Sequence, residues 1–434
     1  MGTRTLLAST IVAVTLMMVS APATADTGVA PLGPDFHFGV AQSGFQSEGS
    51  SPDSNYLRYG RRGLLRTPIG TSVDFLHRFR DDIMRARSLG VDTYRMSVEW
   101  SRVQPQAGVD DPAGWAFYDQ VIGAIVAAGM TPMITLNHWV HPGWEVDRGG
   151  WNRVGMADDF VAFATTVVDR YAWAAPRWVT FNEPSEYVRR ELSYGGIDVA
   201  NAGRMVDGIV RAHRRMWRYI HAKQPGAQVT SNLAFFPVPG VQGFLESLFP
   251  ERMRGTLDVI GVDHYYSTSV TDFSAAAAVA DHFEQSSQSP ESIYYALRHI
   301  HQRFPGTPIW IVENGLATAD GQARPDGYRR ADHLRDTIYW VQRARQDGIP
   351  VVGYNYWSLT DNYEWGSYAP RFGLYEVDVQ QDPTLRRTPT DAVAAYREIT
   401  AHHGVGRGYR PTRAPVPCSL VAVPDSCSQP VSVP

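Results

Sequence analysis

The stretch RWVTFNEP at residues 177–184 decides the fold, and PIWIVENG at residues 308–315 repeats its pattern. Each begins with a short run of β-branched and aromatic residues, which is typical of a buried strand. In the first stretch the proline ends the strand, because proline has no N–H to donate to the sheet. A glutamate and an asparagine therefore lie where each strand leaves the sheet, the position of catalytic groups in parallel α/β barrels.

The same alternation of apolar strand and amphipathic helix runs through most of the chain. The predicted strands cover residues 36–41, 91–98, 130–136, 177–181, 228–233, 257–262, 309–312 and 351–357. The predicted helices cover residues 72–89, 115–128, 157–173, 203–223, 245–249, 291–304, 328–347 and 390–401, and residues 42–66 have the composition of a loop. Eight such units predict an α/β fold with a single (β/α)8 TIM barrel. A doubly wound open sheet is the alternative, but no glycine-rich phosphate loop follows any strand.

The composition is that of a packed globular protein, with 44% hydrophobic and 19% charged residues. The net charge of −4 argues against nucleic acid or an anionic membrane as a partner. The 12 tryptophans and 21 tyrosines fit either a large core or a cleft that stacks sugar rings. Both interpretations suit a large barrel.

Residues 1–25 have the features of a secretory signal peptide: Arg4 precedes an apolar run at residues 6–19, and small residues at 23–25 fit a cleavage site. An uncleaved anchor is the competing interpretation, but the run is shorter than the ~20 residues needed to span a bilayer. We therefore expect a secreted, extracellular protein that has no contact with membrane after signal cleavage.

The mature chain divides into a barrel domain at residues 26–405 and an extended C-terminal tail at residues 406–434. Cys418 and Cys427 are the only cysteines, and both lie in the tail. In an exported protein such a pair predicts one local disulfide. A metal site would need more ligands than this pair offers.

Two carboxylic acids presented from two strands of one barrel are what glycoside hydrolysis needs. One must be protonated to release the leaving oxygen, while the other must be charged. We assign Glu183 as the acid and then the base, and Glu313 as the nucleophile. Arg95, near the end of the second strand, is the candidate cation that keeps one carboxylate ionised. A distance of ~5 Å between the Glu183 and Glu313 carboxyl groups would mean retention of configuration. The alternative is that both glutamates are structural salt-bridge partners.

The chain resembles glycoside hydrolase family 1, the β-glucosidase type, in six motifs that occur in the same order. They are FHFGVAQSGFQSEG, DFLHRFRDDIMRARSLGVDTYRMSVEWSRVQP, TLNHWVHP, TFNEP, VENGL and GYNYWSLTDNYEWGSYAPRFGLYEVD, between residues 36 and 378. This resemblance covers essentially the whole barrel domain. It implies a (β/α)8 barrel whose acid/base and nucleophile follow the fourth and seventh strands.

The resemblance also implies roles for further residues. Hydroxyl groups of the cleaved sugar would be held by Gln46, His138, Asn182, Glu364 and Trp365, with Trp139 and Trp357 also in contact with substrate. Tyr265 would donate a hydrogen bond to the nucleophile. The alternatives are that the tryptophans fill the core and that Gln46 satisfies loop backbone. No metal and no cofactor are expected, because His138 and His141 lack a third ligand.

Two departures from the family pattern stand out. Asp263 and His264 occur where the family has an asparagine before a tyrosine, which puts a carboxyl group in place of an amide. The interval between Glu183 and Glu313, 313 − 183 = 130 residues, is short and indicates trimmed loops and an open cleft.

The sequence therefore predicts a secreted retaining β-glycosidase that hydrolyses β-glucosides or related β-glycosides. An endo-acting glycanase or transglycosidase with the same chemistry is one alternative. An inactive barrel that only binds carbohydrate is the other.

Overall fold

Parallel strands form the centre of the protein in this computed structural model, which describes residues 28–433. The predicted signal peptide at residues 1–25 lies outside the described residues. The strands are β1 (His37–Ala41), β2 (Thr93–Ser97), β3 (Thr131–Thr135), β4 (Arg177–Val179), β5 (in two segments, Val229–Thr230 and Leu233–Ala234), β6 (Ile260–Asp263), β7 (Ile309–Asn314) and β8 (Val351–Trp357). Two small antiparallel pairs join Thr318–Ala319 to Pro370–Arg371 and Tyr375–Glu376 to Thr388–Pro389.

The order of the strands shows that the sheet closes on itself. It runs from the first segment of β5 through β4, β3, β2, β1, β8, β7 and β6 to the second segment of β5. All of these pairings are parallel. Because both ends of the order belong to one interrupted strand, the structure confirms the predicted (β/α)8 barrel and excludes an open sheet.

Helices surround the barrel on the outside. They are α1 (Gly44–Ser47), α2 (Asn55–Arg61), α3 (Phe75–Ser88), α4 (Trp100–Val103), α5 (Pro112–Ala127), α6 (Gly143–Asp147), α7 (Met156–Tyr171), α8 (Pro184–Tyr194), α9 (Ala202–Lys223), α10 (Pro239–Leu248), α11 (Ala276–Val279), α12 (Ser292–Arg303), α13 (Arg330–Gln346), α14 (Asp391–His402) and α15 (Asp425–Ser428). Short 3-10 helices cover Gly150–Asn152, Ala172–Ala174, Val199–Asn201, Phe283–Gln285 and Leu420–Ala422. Among the described residues, no helix is both long and apolar enough to cross a membrane.

Helix α3 illustrates why the amphipathic segments pack on the barrel. Phe75, Phe79, Ile83 and Ala86 recur at spacings of three and four and are all buried. Burying an apolar side chain of this size stabilises the fold by about 1.5–3 kcal/mol. The apolar face thus fixes the helix against the sheet, and the strand ends are held where the following loops need them.

Three local predictions were wrong. Residues 42–66 are not all loop, because they contain α1 and α2, and Ser54 caps α2 by accepting from the Leu57 N–H. Helix α10 is longer than the predicted 245–249 and begins with a proline. Helix α8 was not predicted at all, although Pro184 occupies its first turn, a common start for a helix.

The C-terminal segment after residue 405 is not extended throughout, as it contains a 3-10 helix and α15. Cys418 and Cys427 form a disulfide. The 3-10 helix Leu420–Ala422 packs against α10 and α12, and the Leu420 N–H donates to the Thr268 carbonyl at 2.9 Å. The segment therefore braces loops on the side of the barrel where strands five, six and seven end.

Candidate active site

A cavity of about 370 Å³ opens at the carboxyl ends of the barrel strands. Both predicted catalytic glutamates line it: Glu183 follows β4 and Glu313 lies near the end of β7. Their side chains are largely buried, at 8% and 4% exposure for the two residues. The site therefore lies where parallel barrels place their chemistry, with little water around the acids.

The two glutamates are close enough to act on one bond. Carboxyl oxygens of Glu183, Asp263 and Glu313 all lie within 4.8 Å of one another. Retaining glycosidases hold their two carboxyl groups about 5–5.5 Å apart, and inverting ones about 6.5–9.5 Å apart. The observed distance between carboxyl oxygens lies below the inverting range and close to the retaining one.

Both carboxylate oxygens of Glu313 accept hydrogen bonds from fixed donors. Arg95 Nη1 donates to Oε1, and the Tyr265 hydroxyl donates to Oε2 at 2.6 Å. Charge-assisted bonds of this kind are short and strong, so they hold the Glu313 carboxylate in one orientation. Burial and then the Glu313 charge raise the pKa of Tyr265 well above its ordinary value, so the hydroxyl keeps the proton that it donates to Glu313.

Arg95 is fully buried beneath the site and organises it without lining the cavity. Its Nη2 donates to Asn182 Oδ1 at 2.6 Å, and its Nε donates to Thr135 Oγ1 at 3.1 Å. Asn182 Nδ2 lies 3.3 Å from His138 Nε2. One cation thus fixes both Glu313 and the asparagine that precedes Glu183.

Glu183 sits in a strained backbone conformation at the start of α8. Its φ of 36° and ψ of 63° lie in the left-handed region, which costs a side-chain-bearing residue free energy. Burial raises the pKa of Glu183 well above its ordinary value, and the charges of Glu313 and Glu186 raise it further. At neutral pH Glu183 is therefore poised to hold the proton that a leaving oxygen needs.

Asp263 adds a third carboxyl group to the site. It ends β6, and the ladder to β7 shifts register so that Asp263 lies opposite Glu313. Asn232 donates to Asp263 Oδ2, and carboxyl oxygens of Asp263 and Glu183 lie within 4.8 Å of each other. Burial, Glu313 and Glu183, in that order, raise the pKa of Asp263 well above its ordinary value. The Arg95 charge and the hydrogen bond from Asn232 lower the pKa of Asp263, but by less than these three effects raise it. Asp263 and Glu183 therefore affect each other's protonation.

The inner end of the cavity is a ring of aromatic and polar groups. The His138 ring stacks on Trp357 and Trp365, with ring centroids 5.9 and 5.7 Å away. Trp139 Nε1 donates to the Asn182 carbonyl, and Trp357 Nε1 donates to Glu364 Oε1 at 3.1 Å. Burial and then the Arg95 charge lower the pKa of His138 well below its ordinary value, so its ring is neutral. Flat apolar faces beside polar atoms suit a sugar ring.

Gln46 is fully buried and stands behind this ring, so it does not line the cavity. Its Nε2 donates to Glu364 Oε2 at 3.2 Å and to the Tyr363 carbonyl at 3.1 Å. Burial raises the pKa of Glu364 to about 8. The structure thus gathers nine of the predicted site residues on the cavity wall and places Arg95 and Gln46 directly behind it.

Glu183, Asp263 and Glu313 form the one group of acids in residues 28–433 close enough together to hold a cation. Arg95 and Tyr265 already engage both oxygens of Glu313. A metal ion would have to compete with this guanidinium for the same oxygen, so the cluster fits proton chemistry better than metal binding.

The outer half of the cavity was not predicted from the sequence. Its wall is formed by Phe235, Phe236, Pro237, Val238, Val241, Tyr266, Phe273, Ala275, Ala276, Ala278, Phe283 and Phe372. Asn232, which links Asp263 to Asn182, was also missed. Its signal was an amide near the end of the predicted fifth strand, residues 228–233.

Comparison with known proteins gives a consistent result. The profile of Glycosyl hydrolase family 1 matches residues 30–238 and 246–405. Beta-glucosidase A of Thermotoga maritima is 26% identical over 439 residues, covering 85% of this chain and 98% of that protein. The bifunctional beta-D-glucosidase/beta-D-fucosidase of Bifidobacterium breve is 28% identical over 455 residues, with the same shares covered.

Among solved structures, a Thermotoga maritima beta-glucosidase in complex with deoxynojirimycin superposes with a TM-score of 0.75. It is 24% identical, and the match covers 87% of this chain and 100% of that one. This likeness concerns the fold.

Proposed function

Because this chain belongs to glycosyl hydrolase family 1, we propose that it hydrolyses β-glucosides or related β-glycosides with retention of configuration, in two displacement steps. The observation that carries the proposal is the pair Glu183 and Glu313, whose carboxyl oxygens lie within 4.8 Å across one cavity. The spacing supports attack by a carboxylate on the sugar carbon, since an inverting enzyme would need about 6.5–9.5 Å.

In the first step the Glu313 carboxylate attacks the anomeric carbon of the bound sugar. The bond between that carbon and the leaving oxygen breaks, and protonated Glu183 gives its proton to the oxygen, so the aglycone departs as a neutral alcohol. Arg95 and Tyr265 hold Glu313 in one orientation for this attack. The product is a glycosyl ester on Glu313, and Glu183 is left as a carboxylate.

In the second step Glu183 acts as a base. It takes a proton from water as the water oxygen bonds to the anomeric carbon, and the ester bond to Glu313 breaks. The free sugar leaves with its original configuration, and both glutamates regain their starting charges. Tyr265 stabilises the carboxylate of Glu313 as it is released, because its hydroxyl donates directly to Oε2.

We assign recognition of the sugar to the inner ring of the cavity. Glu364 accepts from Trp357 and Gln46 and keeps lone pairs for sugar hydroxyls. Trp357 and Trp365 offer flat faces to the ring. Asn182, fixed by Arg95, is placed to hold the hydroxyl next to the anomeric carbon, a contact that strengthens as charge develops. Above about pH 8, where Glu364 is ionised, its carboxylate would also repel a phosphorylated sugar.

The alternatives receive less support from the site. Both glutamates face the cavity and neither is a mere salt-bridge partner, which favours catalysis over simple carbohydrate binding. An endo-acting glycanase or a transglycosidase would need to hold further sugar rings beyond the cleaved bond. The outer wall there is mainly apolar, so we favour hydrolysis of a single terminal sugar.

Azide rescue of two matched variants tests the proposal. In Glu313→Ala, azide replaces the nucleophile and attacks an activated aryl β-glycoside once, so the expected product is an α-glycosyl azide. In Glu183→Ala, azide attacks the glycosyl ester on Glu313, so the expected product is a β-glycosyl azide. Normal turnover of Glu313→Ala without azide, or the same anomer from both variants, would overturn the assignment.

We also propose that the protein is exported. The support is the signal-like pattern at residues 1–25 together with the Cys418–Cys427 disulfide, because disulfides persist in oxidising compartments. Expression of the full chain with analysis of the extracellular fraction tests this. The mature N-terminus should follow Ala25, whereas an intact N-terminus inside the cell would contradict export.

A further inference from the structure

The outer half of the cavity differs in chemistry from the inner half. The wall beyond Glu183 has three parts, all of apolar side chains. They are Phe235, Phe236, Pro237, Val238 and Val241; Phe273, Ala275, Ala276 and Ala278; and Phe283 with Phe372. An aglycone leaving from Glu183 must pass along this wall, since the sugar occupies the opposite end.

The charged residues at the rim of the cavity form ion pairs with one another. Arg189 and Arg190 both donate to Glu186, and Arg190 Nη2 also contacts Asp281 at 2.5 Å. Such internally paired groups offer little to a ligand, because a new contact would have to break an existing one. The polar groups left for an aglycone are chiefly the side chains of Tyr266 and Thr268. A second sugar ring, which carries several hydroxyls, would find few partners here.

Large apolar side chains are exposed at the mouth. Phe273 is 61% exposed and Val241 is 45% exposed, and both line the cavity. Exposed apolar groups at the edge of a cleft typically become buried when a ligand binds. Phe244, on the same helix as Val241, is also exposed at 60% but does not line the cavity. It therefore provides an internal control.

We propose that the natural substrates are amphiphilic glycosides whose aglycone is a hydrocarbon, such as an alkyl chain, that lies against Phe236, Val241 and Phe273. This inference rests on the proposed function and adds to it the class of leaving group. The sugar binds in the inner ring, and the chain follows the apolar wall to the mouth, where it covers Val241 and Phe273. Burial of successive methylene groups supplies binding free energy that a disaccharide cannot obtain there.

A series of alkyl β-glycosides from methyl to octyl, each kept below its micelle concentration, tests this inference with the full-length enzyme. We expect kcat/KM to rise about tenfold or more from the methyl to the octyl glycoside. Each fully buried methylene group can increase kcat/KM by about fourfold at most. Cellobiose, a sugar linked to a second sugar, should be a poorer substrate than octyl glucoside. Equal kcat/KM for methyl and octyl glycosides would overturn the inference.

Variants locate the effect on the wall. Val241→Asp and Phe273→Ser should each lower the ratio of octyl to methyl kcat/KM at least about threefold, since each removes apolar contact from the chain. Phe244→Ser, equally exposed but off the wall, should keep the wild-type ratio. An undiminished ratio in both wall variants, or an equal loss in Phe244→Ser, contradicts the inference.

Failure of the proposed function would look different. If no β-glycoside of any chain length is hydrolysed, the proposed hydrolase function is wrong. Affinity of the apolar wall for an alkyl chain is then tested by a binding experiment. Alkyl thio-β-glycosides, which resist hydrolysis, should then bind more tightly with each methylene, as measured by calorimetry. Dissociation constants that do not change with chain length would overturn the inference on their own.

Discussion

Asp263 lies opposite Glu313 in the ladder between β6 and β7, and one of its carboxyl oxygens lies within 4.8 Å of a carboxyl oxygen of Glu183. Three carboxyl groups therefore meet where catalysis needs only two. Their closeness follows from parallel pairing, which brings the ends of neighbouring strands to one edge. The register shift between Val262 and Asp263 places Glu313, and not Val312, opposite Asp263, and Asp263 lines the cavity. The consequence is that Asp263 and Glu183 affect each other's protonation.

Asp263→Leu should keep the enzyme active to a higher pH on the alkaline side. Burial, Glu313 and Glu186 raise the pKa of Glu183, whereas the Asp263 side chain lowers it. An apolar residue of similar size removes this lowering, so Glu183 keeps its proton to higher pH. The measurement is the alkaline limb of the kcat/KM profile against pH. An unchanged limb, or one displaced to lower pH, would show that Asp263 does not act on Glu183 in this way.

Tyr265→Phe should slow release of the sugar more than its transfer to the enzyme. The lost hydrogen bond to Glu313 is worth about 1.5–3 kcal/mol for a charged acceptor, or roughly 10- to 150-fold in rate. We expect kcat for an activated aryl glycoside to fall by this factor, kcat/KM to fall less, and a burst of aglycone to appear. Tyr266→Phe, a neighbouring cavity residue without a hydrogen bond to Glu313, is the control. Equal kinetics in the two variants would remove Tyr265 from the mechanism.

Glu364→Gln should abolish a pH dependence of sugar binding. Burial raises the pKa of Glu364 to about 8, so the residue is largely a neutral acid below this pH and a carboxylate above it. A carboxylate accepts from sugar hydroxyls more strongly, so wild-type affinity for a neutral thioglycoside should increase as pH rises through about 8. The glutamine variant should show no such increase. A wild-type dissociation constant that is flat over this range would contradict the assignment.

Replacing both Cys418 and Cys427 by serine should disturb the outer wall of the cavity more than it disturbs the barrel. The bridge closes a loop with a sequence separation of 9, and a loop of this size contributes roughly 2–3 kcal/mol. The segment Leu420–Ala422 packs on α10, which carries Val241, and Leu420 bonds to Thr268 beside the wall. We expect a lower ratio of octyl to methyl kcat/KM, with faster proteolysis after residue 415. Unchanged proteolysis would show that the disulfide does not brace this segment.

The barrel and the two glutamates that meet in its cavity could be predicted because their signals are local. The residues Asn182, Glu183 and Pro184 mark the end of one strand in the sequence itself. Glu313 and Asn314 mark the end of the other strand in the same way. Parallel pairing then brings such ends together without further information. Arg95, near the end of the second strand, followed from the same rule.

The outer wall and the coupled protonation of Asp263 and Glu183 could not be predicted, because they depend on tertiary packing. Residues 235–241 and 273–283 show no periodicity that would place them beside Glu183, and they reach it through loops braced by the C-terminal segment. The sequence marked Asp263 as a charge near the site. Only burial beside Glu183 and Glu313 makes its proton affinity high. The placement of Gln46 behind Glu364 likewise follows from packing.

The stereochemistry of the first-formed sugar tests the central claim most directly. Proton NMR of an aryl β-glycoside hydrolysed in heavy water resolves the two anomers before they equilibrate. With Glu183 and Glu313 carboxyl oxygens within 4.8 Å and Glu313 as the nucleophile, the β-anomer should appear first. Initial release of the α-anomer would contradict the account, because it would require direct attack by water on the glycoside.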